Sequence, residues 1–96
     1  MIFYTLTQLR DLPVAHTDAG DFLYVDGSPK KEFLVRGTIT KERAGLFFLD
    51  IDGERFTAHK QEGFSQGEEV ICILTFQMKE NNIDFVVRSL EKNSEV

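Results

Sequence analysis

The chain has no tryptophan, a single cysteine, two prolines and two histidines among its 96 residues. Cys72 cannot close an internal disulfide by itself, so stability has to come from a hydrophobic core, and a reducing compartment is expected. The histidines, His16 and His59, lie far apart and neither has a Ser or Cys nucleophile motif nearby. No Cys, His or carboxylate set has metal-ligand spacing. Asp50, Asp52 and Glu54 alternate near a turn but lack the calcium-loop pattern. No apolar run approaches the roughly 20 residues a membrane helix requires, and the amino terminus lacks the charged start, apolar stretch and small-residue cleavage site of a signal peptide. Repeats and low-complexity segments are also missing. The expectation is a cytoplasmic protein with no membrane segment, no cofactor, no metal and no catalytic activity.

What is present is aromatic and β-prone. Nine Phe and two Tyr favour strands. Hydrophobic residues make up 42%, enough for the core of one domain and too many for a chain disordered throughout. The formal charge is −5, which argues against a tight, non-specific duplex binder. The charge is uneven, however. Residues 30–43 hold Lys30, Lys31, Arg36, Lys41 and Arg43 against Glu32 and Glu42, a local +3. Segments on either side are acidic.

Met1 to Val14 reads as a short extended arm (Ile2, Phe3, Tyr4) followed by a helical turn. Thr5 and Gln8 have capping-box spacing, Leu6 and Leu9 share an apolar stripe, and Pro13 ends the element. Residues 15–21 read as a polar loop, residues 22–25 as a short strand, and Asp26-Gly27-Ser28-Pro29 as a turn. From residue 33 to residue 40 the chain alternates. Phe33, Val35, Gly37 and Ile39 face one way, while Leu34, Arg36, Thr38 and Thr40 face the other. Gly37 inside that strand suggests a bulge or tight bend.

Residues 46–59 carry the clearest signal, a hairpin on Asp52-Gly53, a pair suited to the positive φ angles of a type I′ turn. Its register sets Ile51 opposite Glu54, Asp50 opposite Arg55, Leu49 opposite Phe56, Phe48 opposite Thr57 and Phe47 opposite Ala58. Phe47, Leu49, Phe56 and Ala58 then form a core face, and Asp50 with Arg55 a favourable cross-strand pair. Residues 60–68 form a loop with Phe64 tucked inward. Residues 69–78 form a strand apolar on both sides around Ile71 and Ile73, hence central. Residues 79–82 turn, residues 83–90 form the last strand, and residues 91–96 are a flexible tail. Five strands, two hairpins and a mid-strand glycine predict a mostly β protein built as a small closed or partly closed antiparallel barrel.

The stretch VRGTITKERAGLFFLDIDGERFTAHK, residues 35–60, resembles the first three strands of oligonucleotide/oligosaccharide-binding (OB) domains in tRNA-synthetase anticodon-binding modules and replication protein A-type proteins. The shared pattern is a glycine on the first strand (Gly37), a basic turn (Lys41, Arg43), an aromatic second strand (Phe47, Phe48) and an acidic-glycine hairpin (Asp52, Gly53). DGERFTAHKQEGFSQGEEVICI also looks like the small OB barrel at the end of NfeD-type membrane-associated proteins, although this sequence shows none of their membrane helices. In place of the helix such domains carry between the third and fourth strands stands the loop at 60–68. The resemblance implies a five-stranded OB-like antiparallel barrel at 32–90 with a short N-terminal extension at 1–31. An SH3-like barrel is the second choice.

The candidate ligand-binding face comprises Arg36, Thr38, Lys41, Arg43, Phe48, Arg55 and His59. Cations beside an aromatic platform are what single-stranded nucleic-acid binders use to hold phosphates and stack bases. The competing reading puts Phe48 under the N-terminal arm or helix as part of a second small core. Two functions follow: a weak binder of single-stranded DNA or RNA, or a protein-interaction or homodimerisation module with no nucleic-acid role.

Overall fold

The computed structural model describes residues 2–93, and the first element in it, α1 (Leu6–Arg10), starts as its sequence dictates. Thr5 is extended (φ −94°, ψ 161°), its hydroxyl accepts from the Gln8 N–H at 3.1 Å, and Gln8 Oε1 accepts from the Thr5 N–H at 2.9 Å. A five-residue helix is too short to persist alone. Tertiary contacts hold it: Leu6 and Leu9 are buried, the Leu6 N–H donates to Asp52 Oδ2 at 2.9 Å, and Arg10 forms a two-pronged ion pair with Glu54.

A three-stranded antiparallel sheet follows: β1 (Val14–Thr17), β2 (Gly20–Val25) and β3 (Ser28–Lys30). Part of the loop expected at 15–21 is therefore strand. Toward the turn its cross-strand pairs are His16↔Asp21 and Thr17↔Gly20, which carry no apolar residue and hide the alternation. His16 Nδ1 sits 2.6 Å from Asp21 Oδ1, and the Thr17 hydroxyl donates to the Gly20 carbonyl at 2.8 Å. Leu23 of β2 belongs to the same buried core as Leu6 and Leu9.

The remaining strands, β4 (Glu32–Arg43), β5 (Leu46–Ile51), β6 (Glu54–His59), β7 (Glu69–Lys79) and β8 (Asn82–Lys92), form one antiparallel sheet in the order β6-β5-β4-β7-β8. It curls into a half-barrel. Positive φ at both residues of Asp52-Gly53 (52° and 83°) closes the β5–β6 hairpin, and all five predicted register pairs are present. Phe47, Leu49 and Ala58 are buried, and Phe56 packs against the core from its rim. Asp50 and Arg55 stand opposite each other as expected. Asp50, though, accepts from the Gly53 N–H at 2.8 Å, while Arg55 lies over Phe48. The inner side of β7 buries Val70, Cys72, Leu74 and Phe76, and Ile71 is buried on its outer side.

Gly37 does not mark a bulge. Its pairing with β7 runs without interruption from Glu32↔Thr75 to Thr38↔Glu69. The glycine is needed because neighbours crowd it: a Cβ there would meet Cys72 Sγ and Ile51 Cγ1 at 3.0 Å and the Asp50 carbonyl at 3.3 Å. The bulge lies at Thr40, where Ile39 pairs with Leu49 and Lys41 with Phe48. The Thr40 hydroxyl donates to the Phe48 carbonyl at 3.1 Å and fixes it. Because β4 meets β5 only from Thr38 onward, its first half has an open edge. The N-terminal arm covers that edge, with the Tyr4 N–H donating to the Leu34 carbonyl at 3.0 Å and the Tyr4 ring edge-on to Phe33.

No ladder joins β6 to β8 among the described residues. The loop after β6 spans part of that gap: Gln61 Oε1 accepts from the Leu90 N–H at 2.9 Å, and Phe64 packs against the core as expected. Lys92 ties the loop down through the Gly63 carbonyl, Glu68 (2.7 Å) and the Phe64 ring (4.5 Å). The tail expected at 91–96 is thus strand through Lys92, and Ser94 to Val96 lie outside the described residues.

Two outcomes are expected. Gly37→Ala overpacks the crossing and lowers stability by about 1–3 kcal/mol, read as a reduced denaturant midpoint at unchanged m-value. Hydrogen bonds from Arg10 hold the Glu54 carboxyl below its ordinary 4.5, and Lys92 does the same for Glu68. The folded state therefore binds fewer acid protons than the unfolded one. Stability from these pairs is present above about pH 4.5 and lost as pH falls through the lowered values. An acid titration of Glu54→Gln by circular dichroism should show a shallower loss than wild type.

Candidate functional site

The Thr40 bulge decides which side chains meet. In an unbroken strand Lys41 and Arg43 would share the inner face with Val35 and Ile39. The extra residue reverses the parity, so Lys41 lies opposite Phe48 and Arg43 opposite Leu46. Opposed residues share a face, and Phe48 points away from the buried Phe47 and Leu49. β6 contributes Arg55, whose guanidinium carbon lies 5.6 Å from the Phe48 ring centroid, within cation–π range.

Together Thr40, Lys41, Arg43, Phe48 and Arg55 line a shallow hollow of about 180 Å³. No acidic side chain lines it. Glu42 falls on the opposite parity and pairs with Lys60 at 3.0 Å, and Glu54 is held by Arg10. Lys41, Arg43 and Arg55 form no ion pair with any described residue. Phe48 is half-buried, with its ring lining the hollow. The arm that might have covered it docks on Phe33 and Leu34 instead.

Four of the seven candidate residues, Lys41, Arg43, Phe48 and Arg55, are thus brought together. The other three are not. Arg36 and Thr38 line a separate hollow of about 300 Å³ whose rim includes Asp50, Asp52 and Glu69. Arg36 lies over the Phe3 ring at 4.0 Å. Thr38 sits in register between Asp50 on one side and Glu69 on the other. His59 ends β6 opposite Leu46, exposed and outside the Phe48 hollow. Thr40 was absent from the candidate set, and a bulge of this kind has no required residue that would announce it.

The groups with potential for other chemistry have structural partners. Asp50, Asp52 and Glu54 serve the Gly53 amide, the Leu6 amide and Arg10 respectively. His16 pairs with Asp21 on the β1–β2 hairpin. Cys72 is fully buried, and burial pushes its thiol up to about 12. No helix among the described residues is long and apolar enough to cross a membrane. Compared with known protein families, curated proteins and solved structures, the chain matches none.

Cys72 should react with a thiol reagent only as fast as the protein opens, because a protonated, enclosed thiol is a poor nucleophile. Fast labelling in native buffer, without denaturant, would contradict the core described for β4 and β7.

Proposed function

We propose that this protein is a non-catalytic binding module of OB-like barrel type that takes single-stranded nucleic acid weakly at the Phe48 hollow. The observation that carries the reading is an aromatic ring flanked by three cations, none of them neutralised by a described side chain. A base can stack on Phe48 while Lys41, Arg43 and Arg55 meet the adjoining phosphates. The strand order supports it. OB domains are partly open five-stranded barrels that bind oligonucleotides on the face of their second and third strands. In the five-stranded sheet those positions fall to β5 and β6, which carry Phe48 and Arg55.

Wild type should bind single-stranded oligonucleotides at micromolar or weaker affinity at low salt and lose that binding as salt rises. Phe48→Ala should cost about 1–3 kcal/mol of binding. Arg55→Ala should reduce the slope of log K against log salt by about 0.7, the value of one single-strand phosphate contact. Both variants need a wild-type circular dichroism spectrum for the comparison to count. Wild type that binds neither DNA nor RNA at low salt overturns the reading.

Protein interaction or homodimerisation is the second reading. It is favoured by Val86, 45% exposed on the edge strand β8, where unpaired backbone groups offer a template for another chain. Sedimentation at high protein concentration tests the homodimer: self-association that Val86→Lys abolishes supports it, and a strict monomer removes it.

A further inference from the structure

A second cationic hollow lies at the other end of β4, and it is built by the sheet's other register shift. Between β7 and β8 the pairing jumps from Leu74↔Val87 to Ile73↔Ser89, leaving Arg88 as the additional residue. Arg88 lines a hollow of about 570 Å³ together with Thr75, Glu32, Lys30 and Lys31. Glu32 and Thr75 are register partners on the outer face of the sheet. The two lysines come from the corner where β3 turns into β4, so the hollow sits where the two sheets join.

Three cations stand against one carboxylate there. Glu32 pairs with Arg88, whose side chain remains 66% exposed. A guanidinium has five N–H donors, so this pairing aims Arg88 while leaving donors free for a second acceptor. Neither Lys30 nor Lys31 forms an ion pair with a described residue, and the Lys31 ammonium lies 5.3 Å from the centroid of the Phe22 ring. Thr75 adds a neutral hydroxyl at the wall. Three cationic residues and one carboxylate at the wall of one hollow give it a positive balance that suits an anionic ligand.

The ligand cannot simply be a continuation of one bound in the Phe48 hollow. Asp50 and Glu69 flank Thr38 midway along β4, between the two basic ends. A polyanion laid along the outer face of that strand would cross both carboxylates. We propose that the Lys30–Lys31–Arg88 hollow is a separate anion site that takes a phosphate-bearing group. Arg88 grips two oxygens bidentately and the lysines supply point charges. The site stands independently of the Phe48 reading.

The test is titration of isotopically labelled protein with sodium tripolyphosphate, followed by amide chemical shifts. Expected changes centre on residues 30–32, 75 and 88. Lys30→Ala with Lys31→Ala should weaken the apparent affinity about tenfold, the scale of one or two lost charge-assisted hydrogen bonds. Lys79→Ala should leave it unchanged. A second arm adds an oligothymidylate of about 12 nucleotides, within the site sizes of a single OB barrel. If it displaces tripolyphosphate from these residues, the phosphates belong to a nucleic-acid chain. If it does not, the site takes a smaller phosphate compound. Shifts spread evenly over all lysines, including Lys60 and Lys79, or a double variant with wild-type affinity, overturn the proposal.

Discussion

Strand β4 has no room for a side chain where it passes from one neighbour to the other. Its first half pairs with β7, its second half with β5, and the handover falls at Gly37 and Thr38. With hydrogen at Gly37, Cys72 and Ile51 close over the backbone from both sides. Their approach joins the two wings of the sheet into one curled surface with a single core behind it. The half-barrel depends on that contact, because a flatter crossing would leave Phe33, Val35 and Ile39 without an enclosing wall. The handover also leaves the first half of β4 with a free edge, which the arm at Tyr4 occupies. On the far side, Asp52 and Glu54 of the hairpin hold α1 in place as a plug over the core.

Within that sheet, the register shifts determine surface chemistry. Strand geometry sends alternate residues to opposite faces, so a basic run such as Lys41-Glu42-Arg43 presents either its cations or its acid outward. The Thr40 bulge selects the cations and sets them beside Phe48. The shift at Arg88 likewise adds a residue to β8 beside Glu32 and the Lys30-Lys31 corner. Bulges are costly interruptions of a ladder and tend to sit where a side chain has to be re-aimed. Here both shifts fall next to hollows lined by cations, and the Thr40 hydroxyl stabilises its bulge by bonding to the Phe48 carbonyl.

Much of this fold was legible because local chemistry and global pattern agreed. Asp52-Gly53 demanded a two-residue turn, and the apolar alternation around it permitted one register, so the β5–β6 pairing could be read residue by residue. The Thr5–Gln8 spacing and the doubly apolar middle of β7 were equally direct. What escaped were features with no compositional mark. The β1–β2 hairpin is held by Thr17, His16 and Asp21, residues that read as loop when only hydrophobic periodicity is counted. Gly37 invited a bulge, but close packing was the reason for it. The true bulge stood three residues on, at an unremarkable threonine. Arg36 and Thr38 lie on the same outer face as Phe48, so alternation alone groups them with it, although the carboxylates beside Thr38 separate them. That separation depends on pairing across three strands, which no single stretch of sequence displays.

The acidic whole and the basic parts act over different distances. In physiological salt, charges farther apart than about 8 Å are largely screened from one another. Under the proposed reading, a phosphate against Phe48 would interact chiefly with Lys41, Arg43 and Arg55 and, among the carboxylates, with Asp50 opposite Arg55, more than with distant charges. During approach at low salt the net charge of −5 opposes a polyanion, which slows encounter without weakening the seated contact to the same degree. The carboxylates also restrict the route. Asp50 and Asp52 border the hollow at Arg36 and Thr38, whereas Lys41 and Arg43 lie toward the Ala44-Gly45 turn. Under the proposed reading, a polyanion would have its least repulsive path to the Phe48 hollow over that turn, entering at Arg43 and stopping short of Asp50. On that reading such a path would be short and would limit the number of phosphates engaged, so binding at this face would be weak and its salt slope shallow.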